Sequence, residues 1–117
     1  MKILVLGSKG FIGRNLVDIL NTKKDFEVFS PSRSELDVCS LDSLYSKFSH
    51  IKPDIVFNLV KNGGSLHYVK QHPGEVFYEN MLMASNIFTA VKEVSRHTKI
   101  IQPFSNCSYP GDSSIQK

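Results

Sequence analysis

The feature that most constrains the fold is a set of three glycines, at positions 7, 10 and 13. They follow a short apolar run, Ile3–Leu6, whose lack of alternation is typical of a parallel strand buried on both faces. A helical pattern begins at the third glycine. Glycine suits such a turn because it accepts positive φ, lets an anion approach the backbone and leaves room for helix packing. The helix N-terminus then offers unpaired N–H groups to the anion. The pattern predicts dinucleotide binding, and a purely structural turn is the alternative.

The rest of the chain alternates between strand and helix patterns. Further strands are predicted over 26–29, 54–58 and 99–104, and helices from Ser40 or Asp42 to Pro53 and over roughly 73–97. This order predicts an α/β fold, a Rossmann-like parallel sheet with flanking helices, truncated after about four strands. We expect one incomplete NAD(P)-binding domain over residues 1–117 and a strand order of 3-2-1-4. The fourth strand would then form an open edge, and the long helix would lack a neighbour on one side.

Composition excludes several classes of function. The 14 basic and 11 acidic residues give a net charge of +3, and the scattered basic residues predict no nucleic-acid partner. The apolar run at the N-terminus is too short for a signal peptide or a membrane span, so we expect a cytoplasmic protein without membrane association. The two cysteines, Cys39 and Cys107, and the four histidines match no metal-ligand spacing, so no metal site is predicted.

The end of the second strand indicates which nicotinamide cofactor fits. An NAD site usually has an acidic residue there, which accepts hydrogen bonds from the adenosine ribose. Here the strand is followed by Ser30-Pro31-Ser32-Arg33, without a carboxylate. Arg33 can pair with a 2′-phosphate, and Lys9 in the glycine turn can add a second positive charge. These residues favour NADP over NAD; the alternative is that both are solvated surface cations.

The glycine spacing, with its ending Gly10-Phe11-Ile12-Gly13, resembles that of the extended short-chain dehydrogenases/reductases, the NAD-dependent epimerase/dehydratase family. By this resemblance Ser105, four residues before Tyr109, donates a hydrogen bond to the substrate oxygen where negative charge develops. The setting of Cys107, two residues after that serine, resembles the GDP-L-fucose synthase branch, in which the cysteine is an acid–base group. A small buried apolar side chain is the alternative for Cys107.

The resemblance also implies roles in cofactor binding. Asp37 would approach the adenine; the alternative is that it is a carboxylate at the start of a helix. Lys61 would approach a cofactor phosphate; the alternative is that it is a cation of the loop. Leu59-Val60 stands where the family usually has two small residues, so it could crowd the ribose or nicotinamide. Asn80 is a further candidate for cofactor contact. The predicted catalytic residues are Ser105 and Cys107, and the predicted cofactor site comprises Gly7, Lys9, Gly10, Phe11, Ile12, Gly13, Arg33, Asp37, Leu59 and Lys61.

The function implied by the resemblance is NADP-dependent epimerisation and reduction of a nucleotide sugar, with a GDP-linked 4-keto-6-deoxy sugar favoured. The family's acid–base pair is a Tyr followed four residues later by a Lys, and none of the four tyrosines here has a Lys at that offset. We expect this pair and the substrate domain to lie in a C-terminal half absent from this chain. The alternatives are a non-catalytic nucleotide-binding module and one half of a split enzyme. Exposed apolar surface predicts a homo-oligomer or completion by another chain.

Overall fold

The computed structural model describes residues 1–63 and 65–105. Within them every pair of neighbouring strands is parallel, which confirms the predicted Rossmann-like sheet with flanking helices. The elements in chain order are β1 (Lys2–Leu6), α1 (Phe11–Asn21), β2 (Glu27–Phe29), α2 (Leu41–Ile51), β3 (Ile55–Asn58), α3 (Leu66–Gln71), α4 (Pro73–Val94) and β4 (Lys99–Ile101).

The strand order is β2-β1-β3-β4, so the predicted order 3-2-1-4 is wrong. β3 pairs with β1, from Ile3 opposite Ile55 to Leu6 opposite Asn58. The reason is that residues 30–40 form turns, and α2 then carries the chain across to the far side of β1. The order of strands therefore switches between β1 and β3, and ligands of open parallel sheets bind at the carboxyl ends of such strands. β4 lies at the edge of the sheet, as predicted.

The core has two parts, one on each face of the sheet. Leu4 and Leu6 of β1 face a large cluster that includes the fully buried Leu44 and Phe48 of α2 and residues of α4. Ile3 and Val5 face a smaller cluster on the side of α1. β1 is therefore buried on both faces, as its sequence predicts. Burying one such side chain stabilises the fold by about 1.5–3 kcal/mol, so the larger cluster is the main source of stability.

Several element boundaries differ from the predicted ones. α4 ends at Val94 and not at residue 97, because the buried hydroxyls of Ser95 and Thr98 lie 2.7 Å apart in a turn that ends the helix. β4 ends at Ile101 and not at residue 104. Ser40 is the N-cap of α2. Helix α3 was not predicted, because six residues are too few to show a helical period.

Helix α4 has two different faces. Its Asn86, Ile87 and Ala90 are buried. Phe77, Tyr78, Met81 and Phe88 are more than half exposed. The wide apolar stripe predicted for this helix is thus half covered in the part of the chain that the structure describes. In the same part, no helix combines the length and the apolar character needed to cross a bilayer.

Candidate functional site

A cleft of about 870 Å³ opens at the carboxyl ends of the strands. Residues that follow each of the four strands line it, and its volume is that of a typical small-ligand site. The structure brings together in this cleft every residue that the sequence assigned to the cofactor, while their role as ligands stays a prediction. These residues are Gly7, Lys9, Gly10, Phe11, Ile12, Gly13, Arg33, Asp37, Leu59 and Lys61.

Glycine stands at each of the three positions of the turn for a different structural reason. Gly7 has a φ of +82°, and a Cβ there would lie 2.7 Å from the backbone carbonyl of Leu59. A Cβ on Gly13 would lie 2.2 Å from the carbonyl oxygen of Gly7. At Gly10 a Cβ would meet only that same oxygen, at 3.5 Å, which is ordinary contact. Packing within the protein therefore requires glycine at 7 and 13, whereas Gly10 borders the cleft.

The N-terminus of α1 lies at the cleft without a capping side chain. Gly10 is the N-cap, it provides no side-chain hydrogen bond, and the first turn holds no acidic residue. The first N–H groups of a helix have no partner within the helix, and together with the helix dipole they attract an anion. This end of α1 therefore has the character of an anion-binding site.

Two cations border the cleft near this helix end. Lys9 and Arg33 are both exposed, and neither forms a salt bridge with another described residue. Arg33 lies in a turn that is fixed at both ends: the N–H of Ser32 donates to Oε2 of Glu35 at 3.0 Å, and the N–H of Leu36 donates to the carbonyl of Ser32. Lys9 and Arg33 therefore bring two positive charges to the edge of the cleft, and the backbone that carries Arg33 is held in place.

The next part of the wall contains Asp37 and Cys39. Oδ1 of Asp37 accepts a hydrogen bond from the N–H of Cys39 at 3.0 Å. Because α2 begins only at Leu41, Asp37 is not a helix-start carboxylate. Burial raises the pKa of the Cys39 thiol, the carboxylates of Asp37 and Glu79 raise it further, and Arg33 partly opposes them. The thiol is therefore a neutral group of the wall at physiological pH.

The loop after β3 is tied to α4 by an amide side chain. Oδ1 of Asn80 accepts from the N–H of Asn62 at 2.7 Å, and its Nδ2 donates to the carbonyls of Asn62 and Val76. The side chain of Asn62 also donates to the carboxylate of Glu79. Asn80 thus satisfies both backbone groups of Asn62. The sequence indicated Asn80 as a cofactor contact and gave no sign that it holds this loop.

A partly buried pair of amide side chains lies in the wall of the cleft. Nδ2 of Asn58, at the end of β3, donates to Oε1 of Gln102, which follows β4, at 3.0 Å. The only sequence signal was a polar residue that ends an apolar strand. Leu59 and Val60, which follow Asn58, line the cleft and also pack on opposite core clusters. The crowding predicted for these two residues stays a prediction.

The predicted catalytic residues lie at the border of the described chain. Ser105 is exposed and lies two residues beyond Pro103, which lines the cleft. Cys107 lies outside the described residues, as does Tyr109. Among residues 1–63 and 65–105, the His, Cys, Asp and Glu side chains form no cluster that could hold a metal ion.

Comparison with known proteins settles the family. Residues 3–117 match the model of the NAD dependent epimerase/dehydratase family. The chain belongs to this family. The match confirms the resemblance that the glycine turn indicated.

Named relatives are considerably longer than this chain. GDP-L-colitose synthase of Yersinia pseudotuberculosis is 34% identical over 113 residues, which are 96% of this chain and 36% of that protein. GDP-L-fucose synthase of Dictyostelium discoideum is 31% identical, over 92% of this chain and 34% of that protein. The crystal structure of a GDP-D-glycero-L-gluco-heptose synthase from Campylobacter jejuni, in the presence of NADPH, superposes with a TM-score of 0.81 at 25% identity. That superposition covers 96% of this chain and 32% of that one. This family member therefore spans about a third of each relative's length.

Proposed function

We propose that this chain is the NADP-binding part of a nucleotide-sugar epimerase/reductase resembling GDP-L-fucose synthase. The observation that supports the proposal is the cleft, which combines a glycine turn, an uncapped helix N-terminus and two exposed cations in a member of the epimerase/dehydratase family. NADP is favoured over NAD because β2 is followed by Arg33 and not by a carboxylate. That the heptose synthase was solved in the presence of NADPH supports the same choice.

The residues of the cleft fit such a cofactor. The glycine turn and the first N–H groups of α1 would hold the pyrophosphate, since Gly10 leaves the backbone open to the cleft. Lys9 and Arg33 would hold the 2′-phosphate, and Asp37 would lie near the adenine. Leu59 and Lys61 would border the ribose or a phosphate from the side of β3. We treat residues 1–117 as one NAD(P)-binding domain and place the substrate domain outside it.

The reaction we propose follows from the bound cofactor and the family resemblance. A nicotinamide cofactor, when bound, would supply a hydride for a keto carbon. Ser105 would donate a hydrogen bond to the oxygen on that carbon, and Cys107 would move a proton at a neighbouring carbon. The names of the colitose and fucose synthases support a GDP-linked sugar as the substrate, and the family resemblance of the sequence implies a 4-keto-6-deoxy sugar. We also propose that the protein is cytoplasmic.

A second candidate function is a non-catalytic nucleotide-binding module. It would need only the residues of the cleft, whereas the enzyme also needs the family's pair of a Tyr followed four residues later by a Lys. For the enzyme, that pair would come from elsewhere in the same polypeptide or from a partner chain. A reading frame next to this one that encodes Tyr-x-x-x-Lys would support a split enzyme over the module.

The choice of NADP is tested by the substitution Arg33→Ala. Loss of a charge-assisted hydrogen bond to the 2′-phosphate should weaken NADPH binding by about 10–100-fold and leave NADH binding unchanged. Nicotinamide fluorescence measures both affinities. Arg96→Ala is the matched control, because Arg96 is an exposed arginine whose side chain bonds only to the carbonyl of Lys92 among the described contacts. Equal NADPH affinity in the Arg33 and Arg96 variants would contradict the assignment.

We further propose that the chain forms a homo-oligomer or is completed by another chain. Phe77, Met81 and Phe88 lie on one side of α4 and are 68%, 54% and 52% exposed. Such a stripe favours association with a second apolar surface. Sedimentation velocity of the purified chain should show species larger than the 13.2 kDa monomer, and Met81→Glu should restore the monomer. A wild-type chain that sediments as a clean monomer with high thermal stability would contradict this proposal.

A further inference from the structure

The glycine turn contains one buried hydroxyl, that of Ser8, which also lies in the lining of the cleft. Ser8 is 5% exposed, while its neighbours Lys9 and Gly10 are exposed. A buried polar side chain needs a hydrogen-bond partner, because leaving it unpaired costs stability. The partner of Ser8 therefore shows what this side chain holds together.

The hydroxyl of Ser8 bridges to the chain that leaves β2. Its Oγ lies 3.2 Å from the carbonyl oxygen of Ser30 and 3.3 Å from that of Pro31. A hydroxyl has one proton, so the two carbonyls share it. Ser8 follows β1 and these carbonyls follow β2, and the ladder between the two strands reaches only as far as Leu4 opposite Phe29. Ser8 is thus a cross-link between the two chain segments beyond the end of their sheet pairing.

The two segments joined by Ser8 carry the two cations of the cleft. Lys9 is the next residue on one side. On the other side Arg33 follows Pro31 by two residues, in the turn that Glu35 closes with the N–H of Ser32. The Ser8 bridge therefore joins the backbone segments that carry Lys9 and Arg33, and it contributes to the spacing between them. Both cations must reach one phosphate at once, and the attraction falls with distance, so this spacing matters for a 2′-phosphate.

We infer that Ser8 is a positioning residue that sets the preference for NADPH over NADH, acting through the placement of Lys9 and Arg33. The inference rests on the proposed NADP site. It predicts that loss of the Ser8 hydroxyl weakens the contact with the 2′-phosphate, which only NADPH carries. If the role of Ser8 were merely structural, its loss would weaken the binding of both cofactors alike.

The test is titration of Ser8→Ala with NADPH and NADH, followed by nicotinamide fluorescence. NADPH affinity should fall about tenfold and NADH affinity by less than about twofold. In an Arg33→Ala background the same substitution should change NADPH affinity by less than about twofold, since coupled residues are not additive. Ser8→Thr, which keeps the hydroxyl, should restore much of the preference.

The matched control is Ser95→Ala. Ser95 is also a buried serine, with its hydroxyl 2.7 Å from that of Thr98, and it does not line the cleft. Its loss should lower thermal stability and leave the ratio of the two affinities unchanged. If Ser8→Ala lowers the affinity for both cofactors equally, the role of Ser8 is structural and the inference is overturned. The same conclusion holds if the variant binds neither cofactor or fails to fold. If the wild-type chain shows no preference for NADPH, the proposed function fails first, and the inference fails with it.

Discussion

Replacement of Gly13 by alanine is expected to lower the free energy of unfolding by about 3 kcal/mol, at the upper end of the usual cost of overpacking. The new Cβ would lie 2.2 Å from the carbonyl oxygen of Gly7 and 2.7 Å from Cα of Ser8. Both are backbone atoms of the turn, so relief requires the turn itself to move away from α1. Since a domain of this size has only about 5–15 kcal/mol of stability, denaturant unfolding should show the loss clearly.

Gly10→Ala is the control for Gly13→Ala. Its Cβ would make only an ordinary contact, at 3.5 Å from the Gly7 oxygen. The free energy of unfolding should therefore change by no more than about 1 kcal/mol. The same methyl group would stand at the cleft where the pyrophosphate is proposed to lie, so NADPH binding should weaken strongly. The two variants therefore separate folding from binding. If Gly13→Ala proved as stable as Gly10→Ala, the packing of the turn described above would be wrong.

Replacement of Asn80 by alanine is the second substitution with a large expected effect. It removes three hydrogen bonds and leaves the N–H and carbonyl of Asn62 without their partner. We expect a loss of about 2 kcal/mol in unfolding free energy, because unpaired and partly buried backbone groups are costly. The amide of Asn62 should also exchange with solvent much faster, and NADPH affinity should fall because this loop lines the cleft.

Asn15→Ala is the matched control for Asn80→Ala. Asn15 is an exposed helical asparagine whose side chain donates to the carbonyl of Phe11 in its own helix. Its loss should change stability by less than about 0.5 kcal/mol. Hydrogen exchange of the Asn62 amide distinguishes the two cases. An amide that stays protected in Asn80→Ala would show that α4 does not hold the loop.

The sequence predicted the cleft better than it predicted the sheet. The positive φ of Gly7 and the contacts of Gly13 with Gly7 and Ser8 are local to the turn, so the pattern could be interpreted without a structure; the contact of Gly7 with the Leu59 backbone could not. Strand order is different. A buried strand such as Ile55–Asn58 has the same apolar pattern whether it pairs with β1 or with β2. The helix crossing that decides between them depends on packing across the whole sheet.

The side chains that support the site could not be predicted either. Ser8 bonds to carbonyls 22 and 23 residues away, and Asn80 bonds to Asn62 across 18 residues. Nothing local to a serine or an asparagine shows such a partner. The charged residues Lys9 and Arg33 were found because their chemistry suggests a ligand. The hydrogen bonds of Ser8 and Asn80 were missed because their partners include backbone atoms of distant segments.

The measurement that tests the central claim most directly is titration of the purified wild-type chain with NADPH and with NADH, followed by calorimetry or nicotinamide fluorescence. We predict saturable binding of both cofactors, with NADPH bound about tenfold or more tightly because Lys9 and Arg33 are proposed to contact its 2′-phosphate. A chain that binds neither cofactor, or that binds NADH more tightly than NADPH, would contradict the proposed NADP-binding function.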